Sequence, residues 1–555
     1  MIKDKKRKIS STLKIFFSLL IFYLFFIQWY GWNEESRFAL TRAIVDENRF
    51  EIDSFYNLTG DRIVLNNHYY SDKNPGSSLL SSFFYLLWEK IYACFPENFK
   101  EKYDGTHDYI IEYNGNMPIV TMINPGFFVF TSMILLTFVT SSIPTALTSV
   151  IIYKLSKHFT KNENHRIFLA LIYGLATNAF HQALHFMGIA LSTFLAFLSF
   201  YLIFENKKSY NPKNIFLSGI FAGFSYVVEP IMLFILIPLI IYVFYVSKRW
   251  FLMFLVSLLI GLLPIFIYNY LVLGNPIDIA SSYLDRSIWK NAYPETQLPF
   301  LKNNDTSKIV KASFEQTSLT ELFLEHFHLV QPNPWISIRL LFYPYRGLFF
   351  YSPILLLSII GLAYMRNEYG IETKIIILML ILIILLLSSR RNWWGGYGFG
   401  NRYMVPVIPF LVIPIAYVIK KIGVKPLIPL FILSFFINIL GLQQAEEFAY
   451  DWNKMEMRFD WMGKQNSFEI LSNPLIEHYI PLTLEYGPRS PLFEHVINGY
   501  ISIDPRIPPL SKGVDFPKSE FHVPFLVFMP LSIIMLLIWF PEITGLIRGA
   551  RYENK

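Results

Sequence analysis

Charge is scarce in this sequence and cysteine nearly absent. Asp, Glu, Lys and Arg make up 16% of its 555 residues against 53% hydrophobic ones, and the mean hydropathy is +0.38. So little charge cannot cover the surface of a water-soluble chain of this length. The soluble enzyme classes are therefore excluded, and the recurrent apolar runs belong in a bilayer. Cys94 is the only cysteine, which excludes an intramolecular disulfide and a thiolate-bound metal cluster. Internal repeats and low-complexity tracts are missing as well. The net charge of +7 is not the footprint of a nucleic-acid binder, because the basic residues collect in short connections between apolar runs.

What is present is a series of about twelve candidate spans. They are Leu13–Tyr30, Phe127–Tyr153, Ile167–Phe180, Ile189–Phe204, Ile215–Val228 and Ile231–Val246 in the first part of the chain. Phe251–Tyr270, Leu348–Tyr364, Ile375–Leu387, Tyr403–Ile419, Leu427–Leu442 and Val523–Phe540 follow. The first begins after the basic run MIKDKKRK and enters Gln28-Trp-Tyr-Gly-Trp with no small-x-small cleavage site, so it is expected to be a retained anchor. From a cytoplasmic start, the alternate connections KLSKHFTKNENHR, ENKKSYNPK, SKRW, MRNEYGIETK and KKIGVK are all basic, and the chain ends in RGARYENK. The positive-inside rule then puts both termini in the cytoplasm of a multi-pass plasma-membrane protein. The expected fold is an all-α integral membrane protein. Segments 32–126, 271–346, Ser388–Arg402 and 443–522 would face outward, and the three longest are too long and too aromatic to be simple linkers. Residues 1–442 would form the main membrane region, 443–522 an outer segment of unassigned role, and 523–555 the last span with its basic tail.

The stretch Trp32 to Leu80 holds the densest chemistry. Asn33 reads as a helix N-cap, with Glu34 and Glu35 in the first turn and Phe38, Leu40, Ala43 and Ile44 on an apolar side. Pro75 disfavours helix at Asn74, so a turn is expected there, and Ser77 or Ser78 would cap a second apolar helix through Leu79, Phe83, Phe84 and Leu87. A carboxylate at the start of one helix, with Lys73 and free backbone N–H groups at the start of the other, suits a base facing an anionic leaving group. Acids in a first turn also serve the helix dipole alone, and Asp72-Lys73 also reads as a solvated turn.

Further along, SSRRNWWGGYGFGNRYMVPVIPF breaks the charge rule with Arg390, Arg391 and Arg402 on the outward side, where an anionic lipid or phosphate, or an interfacial belt of aromatic and basic residues, would account for them. His181 and His185 fall i, i+4 in TNAFHQALHFMG, a spacing that suits a metal or a structural pair, and His326 and His328 read the same way. Glu229-Pro230 reads as a turn between spans or as a site residue. Asn57-Leu-Thr and Asn304-Asp-Thr fit glycosylation sequons.

The set N-E-E-S-R-F, D-x-x-x-F-x-I-D and Y-Y-S-D-K-N-P-G resembles the first external loop of the GT-C membrane glycosyltransferases. The likeness is to the branch holding protein O-mannosyltransferases and the lipid A aminoarabinose transferase. W-W-G-G-x-x-F-G-N-R-Y-x-V-P-x-x-P-F and Tyr343-Pro-Tyr-Arg-Gly-Leu-Phe-Phe-Tyr-Ser-Pro resemble the later half of the same branch. The resemblance implies an inverting transferase that moves a sugar from a polyprenyl-phosphate donor to a hydroxyl acceptor at the outer face of the bilayer. Glu34 matches the acid that acts at the acceptor, and the Asp72-Lys73 turn matches the one that handles the lipid phosphate. Arg402, Arg346, Arg37 and Arg391 are the further phosphate candidates. The aminoarabinose branch pairs its turn acid with a histidine at a metal, so Asp72 with His185 is the pair for a divalent metal, the one cofactor left open. Glu51-Ile-Asp53 is only a loose relative of the D-x-D of the metal-dependent oligosaccharyltransferases. The rival readings are a lipid-glycan transporter or flippase, which would place charges mid-span and often repeat its halves, and a ligase using a lipid diphosphate donor.

Overall fold

The computed structural model describes residues 10–28, 31–104, 109–114, 117–122, 126–278, 280, 332–390, 393–395, 399–442, 473–486, 490 and 531–539. Five of its helical stretches are long and apolar enough to cross a membrane: Phe127–His158, Gly188–Lys207, Lys248–Leu273, Gly370–Ser388 and Arg402–Ile422. Shorter apolar helices occupy Ser11–Phe26, Pro230–Val246, Pro353–Met365 and Lys425–Leu440. Two of these, Pro230–Val246 and Pro353–Met365, begin at a proline, which ends the preceding helix and sets the next at its first turn.

The first part of the chain runs through α1 (Ser11–Phe26), α2 (Trp32–Asp46), α3 (Gly76–Ala93) and α4 (Glu97–Tyr103). A long helix follows, built of α5 (Phe127–Thr137), a π-helical turn Phe138–Ser142 and α6 (Ile143–Leu155). Pro144 has no N–H to donate to Thr140, and the widened turn before it is where such a deficit is absorbed. The turn has a consequence: Ser141 Oγ donates to His185 O at 2.6 Å and Ser142 Oγ to Ala183 O at 2.7 Å. The span expected over Phe127–Tyr153 thus carries a π-helical turn where it holds another segment.

That other segment joins α7 (Glu163–Leu175) to α9 (Gly188–Ser209) through a buried turn containing the four-residue α8 (Ala179–Gln182). Next come α10 (Pro212–Val228), α11 (Leu233–Val246) and α12 (Phe251–Leu273). Gly219 and Gly223 of α10 face Ser257 and Gly261 of α12. A Cβ on Gly223 would lie 2.2 Å from Leu258 O, and one on Gly261 2.3 Å from Ile220 O. Without those side chains the two backbones touch, the contact that small residues permit between helices in lipid.

The later half holds α13 (Pro334–Phe342), α14 (Leu348–Tyr351), α15 (Leu356–Met365), α16 (Gly370–Ser388), α17 (Ile408–Ile422), α18 (Ile428–Leu440) and α19 (Ile480–Tyr486). A 3-10 stretch, Arg402–Val407, leads into α17. Of the most apolar 18 residues in Arg402–Ile422, 89% are buried, at the centre of the bundle, against 28% of those in Lys248–Leu273 at its edge. The helical residues 531–539 dock on α1, where Trp539 Nε1 donates to Ser18 Oγ at 2.9 Å.

The chain is not wholly helical. The segment between α2 and α5 carries two antiparallel hairpins, β1 (Arg62–Leu65) with β2 (His68–Ser71), and β3 (Tyr109–Asn114) with β4 (Met117–Met122). The first turns on Asn66 and Asn67, with φ of 52° and 65°, the left-handed pair that a two-residue hairpin loop demands and that asparagine tolerates. Arg-Ile-Val-Leu-Asn-Asn-His-Tyr-Tyr-Ser carries that signal, masked in the all-α reading by the apolar helices around it.

Candidate active site

The site is built at the start of α2. Its N-cap is Gly31 with φ 137° and no side-chain bond, not Asn33. A Cβ on Gly31 would lie 2.6 Å from Glu34 Oε2, so glycine is needed there for both its conformation and its absent side chain. Asn33, freed from capping, accepts from Arg37 Nε at 3.1 Å, one turn on. Nor does a serine cap α3: Pro75 stands at its N-cap, Ser78 Oγ donates to Arg37 O at 2.9 Å, and Ser77 Oγ is buried without a hydrogen bond.

Glu34 is 1% exposed, and its Oε1 lies 3.0 Å from Nδ1 of His185, itself 5% exposed. Glu35 points elsewhere, as a neighbour 100° around the helix must. Burial, with the Glu34 charge adding, lifts its carboxyl from 4.5 to about 8, Arg42 opposing. One turn past Glu34, buried Arg37 pairs with Glu229 and reaches Asn74 O at 3.5 Å. The Glu229-Pro230 element is the expected turn and also the anchor for Arg37. Asn74 Nδ2 donates to Tyr226 O at 2.9 Å, and a Cβ on Gly76 would meet the Val227–Val228 backbone at 2.7–2.8 Å. The end of α10 therefore locks against the starts of α2 and α3.

The first hairpin supplies a second group. Its register sets Arg62 opposite Ser71, so Asp61 and Asp72 flank its open end. Lys73 Nζ bridges them, 2.7 Å from Asp61 and 3.1 Å from Asp72. Ser36 Oγ clips this end to α2 through Asp61 O (2.6 Å) and Ser71 Oγ (2.7 Å). Burial raises the Asp72 carboxyl to about 6 against the pull of Lys73, with Asp61 pushing the same way. Burial would lower the Lys73 ammonium, but Asp61 and Asp72 outweigh it and hold it above its ordinary value. Asp61 escaped the sequence reading because only strand pairing brings it to Lys73. Glu51 and Asp53 serve the hairpin, with Glu51 accepting from Tyr70 Oη at 3.1 Å and Asp53 from Tyr69 N at 2.7 Å.

Arg402 completes the cluster. Its guanidinium lies within electrostatic range of Lys73, Glu229 and Asp61. Its contacts, however, are soft: Met187 Sδ at 3.7 Å, Tyr403 Oη at 3.5 Å and the Tyr403 ring at 5.2 Å. Among the described residues no carboxylate lies within 4.0 Å of it. Arg390 stands over the same ring at 4.8 Å. Arg346 lies apart from these: with φ 79°, it donates through a terminal nitrogen to Gly400 O at 3.0 Å, bracing the glycine turn before Arg402. Arg391, His326, His328, Asn304 and nearly all of 443–522 lie outside the described residues, while Asn57 is exposed.

Asp72 and His185, the pair expected at a divalent metal, each meet another partner. His185 is engaged by Glu34 and Asp72 by Lys73, and among the described residues no group of three or more His, Cys, Asp or Glu side chains converges as a metal site. The ring of His181 lies 4.5 Å from that of His185, tilted 53° to it. The donor set does not fit a divalent cation, and no step below runs through one.

No family model matches the chain, and no curated protein matches it. Among solved structures it is similar to the apo oligosaccharyltransferase of Archaeoglobus fulgidus, with 10% identity and a TM-score of 0.38. The likeness covers 80% of this chain, which spans 55% of the length of that one. A likeness so remote carries nothing about activity.

Proposed function

We propose that the chain is a membrane glycosyltransferase that moves a sugar from a polyprenyl-phosphate donor to a hydroxyl acceptor at the outer face, with inversion. The observation that carries this reading is the single turn 185–188. His185 sits on Glu34, Met187 sits on Arg402, and a Cβ on Gly188 would fall 2.6 Å from Glu229, the partner of Arg37. A proton acceptor and a guanidinium with donors to spare are thereby held side by side. The Glu34–His185 pair supplies the base for the attacking hydroxyl, and Arg402 stabilises the phosphate that departs. Mass spectrometry of lipid copurified with the protein should identify a polyprenyl-phosphate sugar. A polyprenyl diphosphate carrying a whole glycan would favour the ligase reading, and lipid carried across the bilayer without sugar transfer would sink the enzyme.

Arg402 is the sharper test of the phosphate site. Arg402→Ala should weaken donor binding by about 1.5–3 kcal/mol, the range for a hydrogen bond to a charged group, with folding intact. Lys73→Ala should instead lower stability, since it leaves Asp61 and Asp72 facing each other without their cation. Titration with a lipid-phosphate sugar and thermal unfolding separate the two. Donor affinity unchanged in Arg402→Ala would move the phosphate elsewhere.

The outward orientation is tested by labelling. In a Cys94→Ser background, needed because Cys94 is exposed, a cysteine replacing Asn67 at the hairpin tip should react with an impermeant reagent in intact cells. One replacing Ser209 should not. Labelling of position 209 alone would invert the topology.

A further inference from the structure

We infer that, within the proposed transferase, His185 through its Nε2 receives the acceptor proton, with Glu34 as the carboxylate that orients it and stabilises its charge. A carboxylate only accepts hydrogen bonds, so the 3.0 Å contact places a hydrogen on Nδ1, and in the neutral imidazole the lone pair is then on Nε2. Nε2 is buried and has no hydrogen-bond partner. Leaving a buried polar atom unpaired is costly, and such an atom in a native site calls for a role. Glu34 is the less available base: Oε1 is held by His185, and Oε2 packs on Gly31 where a Cβ would fall 2.6 Å away. Gln182 Oε1 on the same segment and both polar side-chain atoms of Gln28 are likewise buried without partners among the described residues. Gln28 belongs to the same place, its backbone N donating to Leu184 O at 2.8 Å. Ser141 Oγ, on His185 O at 2.6 Å, fixes the ring's backbone.

In the step, the acceptor hydroxyl donates to Nε2. Its oxygen forms the bond to the anomeric carbon as its proton passes to Nε2. The bond from that carbon to the phosphate oxygen breaks, and the electron pair leaves with the phosphate. The imidazolium so formed is stabilised by Glu34, the arrangement by which a carboxylate–histidine pair activates a hydroxyl.

The test uses the full chain and a lipid-phosphate sugar donor. His185→Ala should lower kcat by about 10²-fold with little change in donor KM, and added imidazole should restore about a tenth of the loss or more. His185→Asn keeps a donor where Nδ1 stood, and so the Glu34 contact, but removes Nε2. It should stay folded and be as slow as His185→Ala. The double variant with Glu34→Gln should be no slower than the slower single variant, as for residues that act as one unit. Near-normal turnover in His185→Asn would reduce His185 to a positioning residue and overturn the inference while leaving the transferase reading intact. A wild-type protein that transfers sugar from no lipid-linked donor would remove that reading, and the inference with it.

Discussion

Arg37→Met is expected to cost about 3–5 kcal/mol of stability, the range for removing one partner of a buried ion pair. The side chains of Arg37 and Glu229 are 2% and 13% exposed, and the substitution strands the Glu229 carboxylate beside Gly188. Asn33 Oδ1 and Asn74 O lose their donors at the same time. Since Arg37 ties α2 to the ends of α10 and the start of α3, the loss should appear as a lower unfolding temperature in detergent. Adding Glu229→Gln should recover much of it, because the stranded charge is then gone. An unchanged midpoint in Arg37→Met would show that this pair does not hold the three helices together. The sequence reading gave Arg37 to the donor phosphate; the structure spends its charge on Glu229.

Glu34→Gln is expected to lower turnover by ~10²-fold or more, with folding and donor binding unchanged. The amide keeps the size of Glu34 and an oxygen for His185 Nδ1, so the geometry survives and only the charge is lost. Glu35→Gln is the control. With its carboxyl lifted to about 8 by burial and the Glu34 charge, Glu35 is largely neutral at pH 7, and an amide replaces a neutral acid. The stability contributed by that neutral form is fully present below about 4.5, declines as pH rises, and is gone above about 8. Glu35→Gln should therefore be silent in turnover and should flatten that decline, which thermal unfolding from pH 5 to pH 9 would read. Inactivity in Glu35→Gln with full activity in Glu34→Gln would move the base by one residue. Full activity in both would remove the carboxylate from the mechanism and bring the transporter reading forward.

Apolar periodicity, basic connections and the Trp32–Leu80 motif stand in the sequence because each is a local signal. Helices occur at several of the expected spans, five of them among the described residues long and apolar enough to cross a membrane, and Glu34 does open a helix. What the sequence alone determined was which segments are apolar and which side chains carry charge. The tertiary structure decided the partners. Lys73 belongs to Asp61 as much as to Asp72 because two strands pair, and Arg37 belongs to Glu229, 192 residues away. His185 meets Glu34 across 151 residues because a proline-widened helical turn aims Ser141 at its backbone. Arg402 keeps its donors because the carboxylates near it are taken. A charge announces itself locally, but in a site this buried its role is set by whichever opposite charge reaches it first. That is a property of the packed chain.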